Sequence, residues 1–323
     1  MTRKKIIIDC DAGIDDALAL IILIAAHKQK EIEIKAITCV NGNTTVDNVI
    51  KNVYRTLDVC NATHIPVFQG AYAPLICTVN NGKTAELQYH GRDGFGDVYD
   101  TQVDTSKLQK EHAVYALNRI VCEEPDELTI LCLGPLTNIA LAIKLYPEFA
   151  GNVKELYVMG GNSTAQGNVT SQAEFNFYMD PESVHIVFNS SKKPLWLLPW
   201  ETCLKSRISN EWRKNVLGQM DNPCMKLMNE IEYGCWKNKE KQPNYIMCDA
   251  ILGGILLRPE IAENVVKYHA DIELTGNRTR GQVVLDHLLS NEPNVHLIQD
   301  FNSELFKNLL QRSADMYFKD INI

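Results

Sequence analysis

The sequence predicts an α/β protein with an open, mostly parallel sheet of the Rossmann type, flanked by helices. Short apolar runs alternate with longer segments of helical periodicity, and this alternation favours parallel strands joined by right-handed crossovers. Polar side chains collect where the apolar runs end, which is where open α/β sheets bind their ligands. No composition shift, linker or repeat divides the chain, so residues 1–323 are interpreted as a single domain.

The individual elements are predicted from periodicity and from turn-forming residues. We expect strands at residues 6–8, 32–40, 65–68, 128–133, 155–159, 194–198, 271–275 and 295–298. We expect helices at residues 17–26, 44–60, 112–121, 209–220, 223–236 and 247–257, with others beginning near residues 138, 180 and 303. The helices within 209–236 interrupt the alternation and predict a helical flap around residues 209–245. The stretch 70–105 is rich in Gly, Asn and Asp, and so long a loop is usually functional or mobile.

Composition and charge favour a globular protein whose partner is a small molecule. Hydrophobic residues make up 45% and charged residues 22% of the 323 residues. The net charge of −8 and the pI near 5.5 argue against binding to nucleic acid or to an anionic membrane. The ten cysteines form no C-x-x-C pair, and no apolar run suits a secretory leader or a membrane span. We therefore expect a cytoplasmic location.

Four carboxylates lie within the segment DCDAGIDD at residues 9–16, between the first predicted strand and the first predicted helix. Asp9 and Asp11 share one side of the strand end, whereas Asp15 and Asp16 open the helix, where the helix dipole favours negative charge. Carboxylates this close repel one another unless a cation or bound hydroxyl groups compensate them. Their hard oxygen atoms suit Ca²⁺ or Mg²⁺ better than Zn²⁺. The simpler interpretation, a helix cap, needs only one of the four acids.

Acids and amides also follow the other predicted strands. The residues concerned are Asn43, Asn168, Glu174, Asn176 and Asp249. No lysine or arginine is among them, so the set does not suit a phosphate group. Carboxylates and carboxamides instead suit the vicinal hydroxyl groups of a sugar, which both donate and accept hydrogen bonds. The pattern therefore predicts a ligand that contains a sugar.

These motifs resemble those of the inosine-uridine preferring nucleoside hydrolases over nearly the whole chain. Besides residues 9–16, the similar segments are GPLTN at 134–138, VMGG at 158–161, AEFN at 173–176, DPE at 180–182 and DIELTG at 271–276. The resemblance implies the nucleoside hydrolase fold, and hydrolysis of the N-glycosidic bond of ribonucleosides to free base and ribose with Ca²⁺ at the bottom of the pocket. It also implies a homodimer or homotetramer and a place in purine or pyrimidine salvage.

The resemblance also implies the role of each site residue. The calcium ligands would be Asp11, Asp16, Asp249 and the backbone carbonyl of Leu133, and Asp11 would also be the general base that activates a calcium-bound water. The ribose would contact Asp15 and Asn43 at its 2′-hydroxyl, Asn176 and Asp249 at its 3′-hydroxyl, and Asn168 and Glu174 at its 5′-hydroxyl, with Met159 packed beside the ring and Phe175 also at the substrate. Asp9 would be a buried acid that orients the loop. The acids would stabilise the positive charge that develops on the ribosyl group as the bond to the base breaks.

One position departs from the family pattern. Members that protonate the leaving base with a histidine carry it directly before the last calcium aspartate, where this chain has Cys248, as in a cysteine-bearing branch of the family. Cys248 is either the acid or a small buried residue, and His90 on the 70–105 loop is either the acid or a solvated residue. We predict His90, because a thiol with an ordinary pKa of about 8.5 is the weaker acid. Trp236 and Tyr233 either stack on the base or pack between helices, so base specificity stays open.

Two other functions fit part of the pattern. Asp9 and Asp11 after a strand also fit the nucleophile and acid of a haloacid-dehalogenase-like phosphatase, with Thr38 available on the second strand. That interpretation leaves Asp15 and Asp16 unexplained. A non-catalytic calcium- or nucleoside-binding homologue would keep the pocket and lose the chemistry, and Cys248 keeps this alternative open.

Overall fold

The apolar runs form an eight-stranded sheet in the computed structural model, which describes residues 3–76, 89–237 and 243–319. Its strands are β1 (Lys4–Cys10), β2 (Ile32–Cys39), β3 (Val67–Gln69), β4 (Leu128–Cys132), β5 (Glu155–Met159), β6 (Leu195–Leu198), β7 (Ala262–Tyr268) and β10 (Val295–Phe301). A separate two-stranded sheet contains β8 (Ala270–Ile272) and β9 (Val283–Leu285), which pair antiparallel.

The strand order of the large sheet is β3-β2-β1-β4-β5-β6-β10-β7. Every neighbouring pair is parallel except β10 and β7, which run antiparallel. The chain leaves β1 toward β2 and β3, whereas from β4 it continues toward β5 and β6 on the other side. The order of the strands therefore reverses between β1 and β4, and in this class of sheet the ligand crevice opens at such a reversal. The predicted fold class is confirmed.

Helices cover both faces of the sheet. They are α1 (Ile14–Lys28), α2 (Val46–Val59), α3 (Ala113–Glu123), α4 (Thr137–Leu145), α5 (Phe149–Asn152), α6 (Phe175–Met179), α7 (Pro181–Ser190), α8 (Trp200–Cys203), α9 (Asn210–Asn215), α10 (Pro223–Trp236), α11 (Cys248–Leu257) and α12 (Ser303–Lys319).

Alternation along β1 divides the core into two layers. Ile6 and Ile8 contribute to a core shared with α1, α2, α10, α11 and α12, whereas Ile7 points to the opposite layer with α3, α4 and α7. The helix α1 is apolar on nearly every side because it packs against α2, α10, α11 and α12 as well as the sheet. Because α1 is packed on nearly every side, the position of its first turn, which includes Asp15 and Asp16, is fixed.

Three predictions of secondary structure were wrong in detail. The predicted strand 271–275 ends at Ile272, because the Glu273 carboxylate accepts hydrogen bonds from the backbone N–H groups of Thr275 and Gly276 and closes a turn. The predicted helix 209–220 consists of α9 and a 3₁₀ turn at Leu217–Gln219, where the Gly218 carbonyl accepts from the side chain of Asn229 and leaves the helical ladder.

The third error was the omission of β7 and β9. The strand β7 carries the edge of the large sheet, and its alternation is broken by Asn264, whose φ of 51° lies in the left-handed region. The strand β9 has only three residues, which is too short for a period to be visible.

The helices within the predicted flap pack firmly on the rest of the protein. The helix α10 contacts α1, α2 and α12, while residues 238–242 lie outside the described residues. Movement of this region stays a prediction. The nine cysteines among the described residues are free thiols. Within residues 3–76, 89–237 and 243–319, the search for a helix both long and apolar enough to cross a membrane finds none.

Candidate active site

The turn between β1 and α1 buries two acids at the reversal of strand order. Asp11 and Asp16 are both fully buried. Asp16 Oδ2 accepts a hydrogen bond of 2.8 Å from the Gly13 N–H, so this carboxylate closes the first turn of α1. Its other oxygen, Oδ1, is buried without a partner among the described residues. The helix-cap interpretation therefore explains one oxygen of Asp16 and leaves the other three acids unexplained.

Asn43, in the turn after β2, connects Asp11 to Asp16. Its backbone N–H donates to Asp11 Oδ2 at 2.7 Å, and its side-chain Nδ2 donates to Asp16 Oδ2 at 3.4 Å. Two glycines leave room for Asp11: a Cβ atom on Gly42 would lie 2.0 Å from Asp11 Oδ2, and one on Gly134 would lie 2.9 Å from Asp11 Oδ1. No side chain fits at either glycine without displacing this carboxylate.

The acids form a cluster suited to a hard cation. Carboxylate oxygens of Asp15, Asp16 and Asp249 lie within 4.8 Å of one another. Asp11 is close enough to raise the pKa of Asp249, and its Oδ1 is buried without a partner in the part of the chain that the structure describes. A buried carboxylate oxygen without a partner destabilises the folded protein unless a cation binds it. A set of donors that are all oxygen atoms fits Ca²⁺ or Mg²⁺. The residues present therefore fit a divalent metal ion.

The pKa values of the acids in this cluster also indicate a cation site. Burial, followed by the charges of neighbouring acids, raises the pKa of Asp11 and of Asp249 well above the ordinary value. The same causes raise the pKa of Asp16 to about 7. In the absence of a cation the folded protein therefore favours protonated acids, and a bound cation favours the ionised form.

Asp9 lies beneath the turn and is fully buried. Its Oδ1 accepts hydrogen bonds from the Thr38 hydroxyl at 2.5 Å and from the Asn138 side chain at 2.8 Å, and burial raises its pKa to about 7. Asn138 also donates to the Cys39 carbonyl at 3.1 Å, so it joins three neighbouring chain segments. This geometry does not suit the phosphatase alternative, in which Asp9 would be a nucleophile open to substrate.

Glu174 and Asn176 lie at the start of α6, on the opposite side of the crevice. The Glu174 carboxylate accepts from the backbone N–H groups of Gly161 at 2.7 Å, Asn176 at 2.9 Å and Phe177 at 3.1 Å. Burial nevertheless raises its pKa to about 7. Asn176 Nδ2 donates to the carbonyl of Leu133 at 2.8 Å and to that of Met159 at 3.2 Å. One amide thereby ties together the carboxyl ends of β4 and β5.

The remaining predicted sugar contacts are less enclosed. Met159, the last residue of β5, is buried, and Phe175, the first residue of α6, is half-buried. Asn168 lies in the loop between β5 and α6, and its side chain is exposed. Its backbone N–H donates to the Ala173 carbonyl at 3.2 Å. The loop therefore holds Asn168 by its backbone, and the side chain faces solvent.

His90 lies over the start of α1. Its Nδ1 accepts a hydrogen bond of 3.1 Å from the Ile14 N–H, so the neutral ring carries its proton on Nε2. Nε2 is 3.8 Å from Asp15 Oδ1, and the imidazole is only 12% exposed. The ring would meet a side chain at Gly13, where a Cβ atom would lie 2.8 Å from Nδ1. The structure therefore brings His90 to the acid cluster rather than leaving it in solvent.

Cys248 is the first residue of α11 and is buried next to Asp249. A hydrogen bond with the Cys203 thiol, together with burial, raises the pKa of the Cys248 thiol well above its ordinary value. The thiol therefore keeps its proton across the physiological range and is a poor donor in acid–base exchange.

The aromatic residues near this side differ in exposure. Trp236, at the end of α10, is half-buried, with its ring 6.3 Å from that of Tyr245 and its Nε1 without a hydrogen-bond partner within the described chain. Tyr233 is 69% exposed. Tyr89 packs edge-on against His90 with ring centroids 5.1 Å apart, and half of its surface is exposed.

Sequence reasoning missed several residues that shape the site. They are Tyr89, Asn138, Asn162 and Glu201. Asn138 could have been predicted from the sequence, because it belongs to the GPLTN segment that follows a strand. Asn162 and Glu201 gave no signal, since Asn162 is bonded to Val283 of β9 and Glu201 to residues 163–166, and both partners are distant in sequence.

Comparison with known proteins identifies the family. The sequence pattern of the inosine-uridine preferring nucleoside hydrolases matches residues 6–308. The chain is 33% identical over 289 residues to the inosine-uridine preferring nucleoside hydrolase of Crithidia fasciculata, covering 88% of each protein. It is 31% identical over 318 residues to the pyrimidine-specific ribonucleoside hydrolase RihA of Escherichia coli O81 (strain ED1a), covering 97% of this chain and 98% of that one.

A solved structure of an inosine-guanosine nucleoside hydrolase gives a TM-score of 0.86 at 28% identity, covering 97% of this chain and 99% of that one. Together with the matched sequence pattern, it shows that the chain belongs to the inosine-uridine preferring nucleoside hydrolase family, whose members are enzymes that hydrolyse nucleosides.

Proposed function

We propose that this protein is a Ca²⁺-dependent hydrolase of the N-glycosidic bond of ribonucleosides, with ribose and the free base as products. The observation that carries the proposal is the group of Asp15, Asp16 and Asp249 at the reversal of strand order, with the buried Asp11 beside it. One carboxylate oxygen of Asp11 and one of Asp16 lack a partner among the described residues. Asn176 and Glu174 face the same crevice and add the acceptors and donors that a ribose needs.

The ion would be held by Asp11, Asp16, Asp249 and the Leu133 carbonyl. This carbonyl already accepts from Asn176, and its second lone pair remains available for a cation. When bound, Ca²⁺ supplies positive charge that orients the ribose hydroxyls and makes a water molecule more acidic. Calcium is favoured over magnesium because the donors come from three separate segments, which suits a larger ion of irregular coordination.

The residues of the chain then perform the chemistry. Asp11 accepts the proton of the attacking water, and its position is fixed by the Asn43 N–H and by the space that Gly42 and Gly134 leave. As the bond to the base breaks, the ribosyl group becomes positively charged, and the surrounding carboxylates stabilise that charge more than they stabilise neutral substrate. A 5′-phosphate would meet Glu174 without a compensating cation, so nucleotides should be excluded.

The leaving base would take its proton from His90. With Nδ1 accepting from the Ile14 N–H, the ring is neutral, and its Nε2 lies 3.8 Å from Asp15 Oδ1. To act as an acid the ring would first bind a second proton at Nδ1 and release the Ile14 N–H. Loss of the Nε2 proton to the base would then leave a neutral imidazole. Cys248 is the weaker candidate, because its thiol is hydrogen-bonded to Cys203 and its pKa is raised far from neutrality. We therefore assign His90 as the general acid and Cys248 as a buried packing residue.

The base itself would be selected on the side of the crevice that contains Tyr89, His90 and Trp236. Relatives are named for inosine and uridine, for pyrimidines, and for inosine and guanosine, so the family tolerates different bases on one sugar site. We propose that this chain shares the sugar site and that these aromatic side chains set its base range.

The direct test is to incubate the protein with inosine, uridine and adenosine in the presence of Ca²⁺ and to measure free ribose and free base. We expect stoichiometric release of both products from at least one ribonucleoside and none from the matching 5′-monophosphate. Tight binding of nucleosides without release of ribose would instead identify a non-catalytic nucleoside-binding protein and overturn the proposal.

A further inference from the structure

We propose that Glu201 is a positioning residue that sets recognition of the ribose 5′-hydroxyl, by fixing the loop at residues 162–173. The proposal rests on the hydrolase function proposed above. The loop connects β5 to α6 and carries Asn168, and Glu174 follows directly after it. Glu201 lies outside the loop, on the short helix α8, and its side chain reaches across to one arm of it.

The Glu201 carboxylate gathers five donors from that arm. Its Oε1 accepts from the Thr164 N–H at 2.7 Å, the Thr164 hydroxyl at 2.9 Å and the Gln166 N–H at 3.2 Å. Its Oε2 accepts from the Ser163 N–H at 2.9 Å and the Ser163 hydroxyl at 3.4 Å. Only 9% of the residue is exposed, so water does not readily replace these bonds.

The carboxylate is itself held against the large sheet. The Thr202 hydroxyl donates to the Ile298 carbonyl of β10 at 2.7 Å, which fixes α8 next to the sheet. The Trp200 N–H donates to the Gly161 carbonyl at 3.0 Å, at the point where the loop leaves β5. Glu201 therefore fixes residues 163–166 relative to the large sheet.

Asn162 closes the base of the same loop. It is fully buried, its Nδ2 donates to the Gln172 carbonyl at 2.6 Å, and its Oδ1 accepts from the Val283 N–H of β9 at 3.0 Å. The Thr170 hydroxyl oxygen accepts from the N–H groups of Gln172 and Ala173. The far arm of the loop is thus held independently of Glu201. The near arm depends on the five bonds to Glu201 and on one longer bond, from Asn162 Nδ2 to the Gln166 carbonyl at 3.5 Å.

This division predicts a selective effect. Glu174 keeps its place through the N–H groups of Gly161, Asn176 and Phe177, none of which involves Glu201. Asn168 joins the two arms. It lies two residues beyond Gln166, the last residue that Glu201 holds, and its N–H donates to the Ala173 carbonyl of the far arm at 3.2 Å, so its position depends on both arms. Loss of the anchor should therefore weaken the contact of Asn168 with the 5′-hydroxyl and leave Asp11 and the acid cluster unchanged.

The test uses Glu201→Gln, which keeps the shape and replaces one acceptor oxygen by an NH₂ group facing N–H donors. The value of kcat/KM is measured for inosine and for 5′-deoxyinosine, which lacks the hydroxyl that the loop would contact. We expect kcat/KM for inosine to fall about 10- to 100-fold, the scale of a misplaced substrate contact, with little change for 5′-deoxyinosine. Glu155→Gln is the matched control, because Glu155 lies at the opposite end of β5.

Two further variants make the outcome decisive. Thr164→Val removes one of the five donors. It should lower the ratio of kcat/KM for inosine to kcat/KM for 5′-deoxyinosine, by a smaller factor than Glu201→Gln does. Asn168→Ala should lower it as Glu201→Gln does, and combining these two changes should add little, because both act on one contact. Thr164→Val decides the matter if Glu201→Gln does not fold.

The failures are distinguishable. If the wild-type protein releases no ribose from any ribonucleoside, the proposed hydrolase function is wrong and this inference falls with it. If the wild-type protein is active and the variants lower kcat/KM equally for both substrates, or leave the ratio unchanged, Glu201 has no positioning role toward the 5′-hydroxyl while the hydrolase function stands.

Discussion

The two sides of the crevice are built differently. On the side assigned to ribose, Asp11, Asp16, Glu174 and Asn176 are buried, and each is fixed by at least one hydrogen bond to the backbone. On the side assigned to the base, His90 holds one hydrogen bond to the backbone, and Tyr89 and Tyr233 are at least half-exposed. Apart from Asn168 on its loop, the sugar side is a fixed frame. On the base side, Tyr89 and His90 lie on a connecting segment, and Tyr233 and Trp236 lie at the end of α10.

This difference indicates which residues set specificity for the sugar and which set specificity for the base. Residues at strand ends and first helical turns inherit the rigidity of the sheet, so they suit recognition of the part of the substrate that never varies. Segments between elements tolerate change without loss of the core, so they suit the part that differs among relatives. We expect perturbations of the sugar side to abolish activity and perturbations of the base side to modulate it.

The largest effect is expected for Asp11→Ala, which removes the proposed general base and a metal ligand at once. We expect kcat to fall by about 10⁴-fold or more in a ribose-release assay, at the upper limit for one acid–base group because the ion is also affected. Asp47→Ala, at an exposed acid of α2, is the matched control and should retain wild-type kcat. An Asp11→Ala variant within tenfold of wild type excludes Asp11 as the base.

The next effect concerns the substrate rather than the protein. A 2′-deoxynucleoside leaves Asp15 and Asn43 without the hydroxyl that they are proposed to bind, and sites built around a hydroxyl can reject the deoxy analogue by ~10⁴-fold. We expect kcat/KM for 2′-deoxyinosine to lie about 10³- to 10⁴-fold below that for inosine. Equal values for the two nucleosides would refute the role of Asp15 and Asn43.

How much the sequence could predict follows the same division. The segment DCDAGIDD stands between a strand and a helix, so its convergence with Asn43 and Asn176 at one edge of a parallel sheet was predictable from topology. The partner of Cys248 was not, because Cys203 lies 45 residues earlier and no local pattern joins them. The anchor formed by Glu201 was equally hidden, since a carboxylate that accepts backbone N–H groups has no sequence signature.

A smaller effect is expected on the base side. We expect His90→Ala to lower kcat on inosine by about 10²-fold, and Cys248→Ala to lower it by less than tenfold, because the Cys248 thiol is hydrogen-bonded to Cys203 and its pKa is raised well above the ordinary value. A riboside with p-nitrophenol as leaving group needs no protonation and should be hydrolysed by His90→Ala at close to the wild-type rate.

The reverse ranking would show that the assignment is mistaken. If Cys248→Ala is the more damaging change and His90→Ala is near wild type, the thiol is the acid. If His90→Ala slows both the nucleoside and the p-nitrophenyl riboside equally, the imidazole contributes to the geometry of Asp15 rather than to protonation.

The smallest expected effect is a shift in melting temperature that depends on pH and on calcium. In the metal-free protein the pKa values of Asp9, Asp16 and Glu174 are each raised to about 7, mainly by burial. In the unfolded chain the same groups ionise near their ordinary values, about 4. Between about pH 4 and pH 7 the folded state therefore binds more protons than the unfolded state, and the free energy of unfolding falls as pH rises.

Calcium should oppose this loss, because it favours the ionised acids that the metal-free fold disfavours. We expect the melting temperature of the chelator-treated protein to fall by roughly 5 °C or more from pH 5 to pH 8, and the rise on adding Ca²⁺ to be larger at pH 8 than at pH 5. Asp9→Asn is a matched variant, because it removes one carboxylate with a raised pKa that is not among the proposed metal ligands. We expect its melting temperature to depend less on pH and to rise on adding Ca²⁺ as in the wild type. A calcium response that is absent at both pH values, or larger at pH 5, would contradict the assignment of the acid cluster as the metal site.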